Sequence, residues 1–187
     1  MRVVTAIVAL LLFCSCRPQS AERSGAALQP VLVVYDASGE GNYVDIYAPR
    51  IAVYSDGSLR TRQWQGFGQN AYFQGQLLQD ELVDLLTNAS QVFSAAGIDD
   101  YYEVRVGSDL NTTDIELHAS GVCASKGIYG GGLHDIAVDG SGRLVLSEPL
   151  QSLPVPLQQL LLQLYQVERQ AQIAWTPEFD EKHVPKY

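Results

Sequence analysis

Arg60 and Arg62 alternate with Leu59 and Thr61, and this alternation constrains the fold more than any other stretch of the chain. The run from Arg50 to Gln63 reads as a hairpin around Ser55-Asp56-Gly57. A two-residue Asp56-Gly57 loop would set Tyr54 opposite Leu59 and turn both arginines onto the face of Ile51 and Val53. A loop of about three residues, with Gly57 left-handed in a bulge, sets Val53 opposite Leu59 and Ile51 opposite Thr61. Burying an unpaired guanidinium costs several kcal/mol, against roughly 1 kcal/mol of turn preference. The second register is therefore expected, with Arg60 and Arg62 outward beside Ala52 and Tyr54. Asp56 and Gly57 then serve the turn and not catalysis.

Gln79 to Ala96 supplies the matching helix. Leu82, Leu85, Leu86, Ala89 and Phe93 recur at three- and four-residue spacing and make one apolar stripe. Asp80 and Glu81 occupy the first turn, where the helix dipole favours carboxylates, and Gly97 is placed to cap the other end. Pro154 and Pro156 precede a second stripe of Leu157, Leu160, Leu161, Leu164 and Val167 or Glu168. Both stripes need a sheet to cover them. Val31–Tyr35, Tyr43–Tyr47, the hairpin, Thr113–Ala119, Val122–Tyr129, a second hairpin around Asp139-Gly140-Ser141-Gly142 and a short run at Ile173–Trp175 supply strands. The expected class is α+β: an antiparallel β-meander with two amphipathic helices packed on one face. Ile98 to Leu110 reads as a solvated acidic loop.

The ends differ from this domain. Arg2 precedes an apolar run, Val3 to Phe13, followed by Cys14-Ser15-Cys16. The run is too short to span a bilayer and reads as the hydrophobic part of an export signal. An apolar run ending at a cysteine resembles a bacterial lipoprotein signal, which implies lipidation at Cys16. Ordinary cleavage near this point and retention as an uncleaved anchor are the alternatives. Residues 1–16 are thus the signal, 17–29 a flexible tether, 30–175 one domain and 176–187 a polar tail. The implied location is the cell envelope, on a membrane surface through the lipid, or outside the cell without it. After cleavage Cys123 has no internal disulfide partner.

Charge excludes one class of partner. The formal charge of −9 becomes −10 when Arg2 leaves with the signal. With no cluster of Lys or Arg, nucleic acid is not expected.

Chemistry-bearing residues are few. Cys123, His118, His134, His183 and scattered carboxylates could in principle form a Cys123/His134 pair or a His134/Asp135/His118 metal site, but no motif supports either. Gly130-Gly131-Gly132 lacks the Lys-Ser/Thr and following helix of a phosphate loop. No catalytic residue, metal or cofactor is assigned. Trp64, Phe67, Tyr72 and Phe73 lie among Gly and Gln between 63 and 76. Exposed, they would be a contact surface for a protein partner; folded down, they would cover the sheet.

Ser55-Asp56-Gly57, Asp80-Glu81-Leu82 with Leu85-Leu86, Pro156-Leu157 with Leu160, and Trp175-Thr176-Pro177-Glu178 occur in an order that resembles a loose group of uncharacterised bacterial lipoproteins. The same order is similar to emfourin, a small inhibitor of thermolysin-like metalloproteases. That resemblance implies, as an alternative to a general binding role, inhibition of an extracytoplasmic metalloprotease; no inhibitory residue carries over. The expectation is a non-enzymatic, exported binding or interaction protein.

Overall fold

Val53 lies opposite Leu59, Ala52 opposite Arg60 and Ile51 opposite Thr61, so the hairpin adopts the register that keeps both arginines off the leucine face. The structure, a computed structural model, describes residues 29–37, 48–65, 70–107, 110–119, 122–179 and 185–186. The hairpin strands are β2 (Ile51–Tyr54) and β3 (Ser58–Trp64). Gly57 closes the turn at φ +82°, and its N–H donates to the carbonyl of Tyr54 at 3.0 Å. Asp56 Oδ1 accepts from the Ser58 amide at 2.9 Å and the Ser58 hydroxyl at 2.6 Å. These bonds hold the tip without using the ladder.

The hairpin belongs to an eight-stranded sheet. Its other members are β1 (Pro30–Ala37), β4 (Asn70–Gln76), β5 (Tyr101–Glu103), β6 (Thr112–Ala119), β7 (Val122–Tyr129) and β10 (Ile173–Ala174). The order is β10-β4-β3-β2-β1-β6-β7-β5. From β1 to β4 it is a meander, and β6 and β7 extend it antiparallel to β1. The expected all-antiparallel sheet is corrected at one edge, where β5 runs parallel to β7. Tyr101–Glu103 therefore does not form part of a solvated loop. Lys126 of β7 reaches across to donate to the Ile98 carbonyl at 2.9 Å and to Asp100 at 2.8 Å, fastening the approach to β5.

Further elements complete the described fold. Trp64 and Asn70–Gln76 belong to paired strands, β3 and β4. The second hairpin forms between β8 (Ile136–Val138) and β9 (Leu144–Leu146), but as a separate two-stranded sheet. It repeats the turn chemistry of the first: Asp139 Oδ1 accepts from the Ser141 amide and hydroxyl, and Gly142 has φ +84°. Pro149 lies inside a one-turn helix, α2 (Glu148–Gln151). In the tail, β11 (Glu178–Phe179) pairs with β12 (Pro185–Lys186). The strand expected at Tyr43–Tyr47 lies outside the described residues.

The two long helices are α1 (Gln79–Ser94) and α3 (Val155–Glu168). Glu81 reaches back to accept the Leu78 N–H at 2.9 Å, satisfying one donor that the first turn leaves free. Pro156 costs no helical hydrogen bond in the first turn of α3. Strand pairing puts Leu32, Val34, Ile51, Val53, Leu59, Ile115 and Leu117 on one side of the sheet. They share a single buried cluster with Leu82, Leu85, Ala89 and Val92 of α1 and Leu157, Leu160, Leu161 and Leu164 of α3. Among the described residues no helix is long and apolar enough to cross a membrane.

Candidate functional site

Among the described residues, charged or donor side chains converge at two places on this sheet, one around Asp36 and Arg50 and one around Glu116 and His118. The first lies where β1 ends. Asp36 forms a short ion pair with Arg50. Arg50 also donates through Nε and Nη2 to both carboxylate oxygens of Glu168, at 2.8 and 3.0 Å, at the last residue of α3. His134 Nδ1 stands 3.6 Å from Asp36, and its Nε2 stands 3.1 Å from Asp135 and 2.9 Å from the Asn111 amide. Asp135 in turn accepts from Arg105 at 2.8 Å.

Burial alone would raise the Asp36 carboxyl, but His134 and the Arg50 guanidinium outweigh it and hold the group below the ordinary carboxylate range. Arg50 is likewise pulled down by burial and raised overall by Glu168 and Asp36. Each charge here faces an opposite one, so the network joins β1, β2, α3 and the loop before β8 as scaffold. A short 3-10 turn at Leu133–Asp135 presents His134 and Asp135 to it, and the Gly132 amide donates to Asp135 Oδ2 at 3.2 Å.

The second place lies near the far end of β6, on the opposite side of the sheet from the leucines. Glu116 and His118 alternate along β6, and Cys123 of β7 sits directly across from His118. One donor atom from each residue can be chosen so that all lie within 4.8 Å of one another. His118 Nε2 meets Glu116 Oε2 at 3.1 Å, and the two side chains are 38% and 31% exposed. Solvent can therefore reach them. Tyr35 of β1 borders the group: burial, then the nearby Glu116 and Cys123, push its phenol up to about 12, so it stays protonated at neutral pH. A nitrogen, an oxygen and a sulfur donor thus converge on two paired strands.

This arrangement answers both constellations raised from the sequence. His134 meets Asn111, just before β6 begins, whereas His118 lies next to the last residue of that strand. Neither the Cys123/His134 pair nor the His134/Asp135/His118 set is assembled. His183 lies outside the described residues. The signal for the actual cluster was present: once Ala119 is set opposite Val122, His118 falls opposite Cys123, and strand alternation adds Glu116. Motif spacing could not find it, because one of the three donors arrives across a strand pair.

Tyr72 and Phe73 do not share one surface. Tyr72 and Phe73 are neighbours in β4 and so point to opposite sides of the sheet. Phe73 packs against the leucine core. Tyr72 meets Trp175 edge-on, with ring centres 6.2 Å apart, and the Trp175 amide donates to the Tyr72 carbonyl at 2.9 Å. The Arg60 guanidinium lies 4.6 Å from the Trp175 ring centre. Trp64 ends β3 opposite Asn70. Phe67, like Cys16, lies outside the described residues. Comparison with protein-family models, with curated proteins and with solved structures finds no match.

Proposed function

We propose that the chain is an exported, lipid-anchored, non-enzymatic binding protein that holds its ligand at the Glu116–His118–Cys123 corner of the sheet. One observation carries this reading: three unlike donor side chains converge where solvent reaches them, on two strands whose pairing fixes their spacing. The other charged cluster is less open to solvent, since Asp36 and Glu168 are 12% and 6% exposed where Glu116 and His118 are 31% and 38% exposed. Cys16 supplies the anchor. Acyl chains there contribute about 0.8 kcal/mol per buried methylene, so more than one chain holds the domain firmly at a membrane surface.

The anchor is tested by metabolic labelling with a palmitate analogue, comparing the wild type with Cys16→Ser. Label that survives the substitution removes Cys16 from the proposal. The ligand corner is tested on the folded, exported protein with a small disulfide reagent, using Cys123→Ser as the reference. Stoichiometric reaction at Cys123 is expected, and a thiol that reacts only after unfolding would close the corner to any ligand. Inhibition of a thermolysin-like protease by the purified protein, unchanged in a Glu116→Gln/His118→Gln variant, would instead favour the emfourin-like role.

A further inference from the structure

We propose that the ligand of this corner is a d-block dication of the zinc class, bound by a Glu116 carboxylate oxygen, a His118 ring nitrogen and the Cys123 sulfur, with a fourth position open to solvent. The inference deepens the binding role above and rests on it.

Donor chemistry selects the ion. Thiolate and imidazole favour zinc and its neighbours, whereas calcium and magnesium take oxygen-rich shells. Zinc bonds of about 2.0 to 2.3 Å in a tetrahedron set donors roughly 3.3 to 3.7 Å apart. The 3.1 Å between His118 Nε2 and Glu116 Oε2 already lies near that spacing, and no donor has to travel far, since all lie within 4.8 Å of one another. The ion enters between the imidazole and the carboxylate and replaces their contact with each other by two bonds to the metal. Binding also displaces the thiol proton to solvent and leaves a sulfur–metal bond, so uptake releases protons and strengthens as pH rises.

The surroundings suit a cation. Asp114 lies two residues before Glu116 on the same side of β6, and Tyr35 stands opposite Asp114 in β1. A dication therefore binds through the Glu116 carboxylate with a second carboxylate one repeat along the same strand face. Three protein ligands with one open position also differ from a closed structural site, so the sheet folds without the ion and the bound metal keeps a place for water or an exogenous ligand.

The exported protein, solubilised in detergent and stripped with a chelator, is titrated with Co²⁺ and then Zn²⁺. One equivalent of Co²⁺ should give a thiolate-to-cobalt charge-transfer band that Zn²⁺ abolishes. Zn²⁺ should also protect Cys123 from the disulfide reagent. Losing an outer-sphere partner weakens metal sites by about 10- to 100-fold, so His118→Gln or Glu116→Gln, which removes a direct ligand, should weaken binding by at least about 100-fold. Cys123→Ser should remove the band. A band that persists in Cys123→Ser, and so belongs to another thiol, would overturn the inference. If Cys123 of the native protein reacts freely but gives neither band nor zinc protection, the metal assignment fails while the open corner stands. A thiol shielded in the stripped native fold takes both down.

Discussion

Arg50 and Glu168 are 118 positions apart and meet through two hydrogen bonds in one carboxylate–guanidinium fork. That fork closes the last turn of α3 onto the entrance of β2, and the same guanidinium holds Asp36 at the end of β1. Glu168 falls on the apolar stripe of its helix, where a carboxylate is tolerated only because this partner comes to it.

Removing one partner of a buried pair leaves the other uncompensated. Glu168→Ala should lower stability by about 3 kcal/mol, read from the midpoint of urea unfolding. Replacing both residues with apolar ones, as Arg50→Met/Glu168→Leu, should not recover it all, because Asp36 then lacks its guanidinium. Full recovery would show that Asp36 does not depend on Arg50.

Asp36 also sets an acid limit. Its folded-state pKa is depressed, so its contribution is fully present above the ordinary carboxylate value of about 3.9 and is lost as pH falls through the lower folded value. Thermal midpoints should fall as pH drops below about 4, and Asp36→Asn should flatten that slope while lowering the plateau at neutral pH. An unchanged slope in the variant would assign the acid limit to other carboxylates.

The two hairpin glycines should respond differently to alanine. Both have φ near +80°, which costs an alanine roughly 1 to 2 kcal/mol. A Cβ at Gly142 meets nothing within 4 Å, whereas one at Gly57 would sit 2.8 Å from the Leu77 carbonyl oxygen. Gly142→Ala should cost about 1 kcal/mol and Gly57→Ala more than about 2 kcal/mol. Equal costs in denaturant titrations would mean that the Leu77 backbone gives way.

Lys126 is 3% exposed while its partner Asp100 is 90% exposed. Its value therefore lies less in the ion pair than in the hydrogen bond to the Ile98 carbonyl, made by an ammonium that also lies 5.9 Å from the Phe93 ring centre. Lys126→Met should change global stability by less than about 1.5 kcal/mol, since the buried chain keeps its volume. Amide exchange at Val104 and Gly127, whose N–H groups join β5 and its approach to β7, should quicken selectively. Uniform acceleration across β6 and β7 would contradict this local role.

Much of the hairpin and both helical stripes could be read from neighbouring residues. The cost of burying Arg60 and Arg62 selected the register, and repeats of three and four placed Leu82, Leu85 and Leu157 to Leu164 in the core. For Arg62, facing away from the leucines is not the same as facing water. That side chain lies on the opposite side of the sheet yet is only 7% exposed, with Nη2 directed at the Asp36 carbonyl at 3.3 Å. Tyr101–Glu103 was illegible for a similar reason: three acidic and aromatic residues have no periodicity, and their strand exists because β7 offers a free edge.

What the sequence determined by itself is whatever depends on local spacing: alternation along β6, the Asp-Gly-Ser hairpin turns, the leucine stripes and the acidic start of α1. Those patterns act over one or two turns of chain, where side-chain direction follows from backbone geometry alone. The tertiary structure decided which distant residues share a place. It joined Arg50 to Glu168, brought β5 parallel to β7, kept His134 apart from His118, and set Cys123 across from His118 beside Glu116. Such meetings arise from strand order and from the need of each buried charge for a partner, and neither is encoded in the spacing of residues along a single segment.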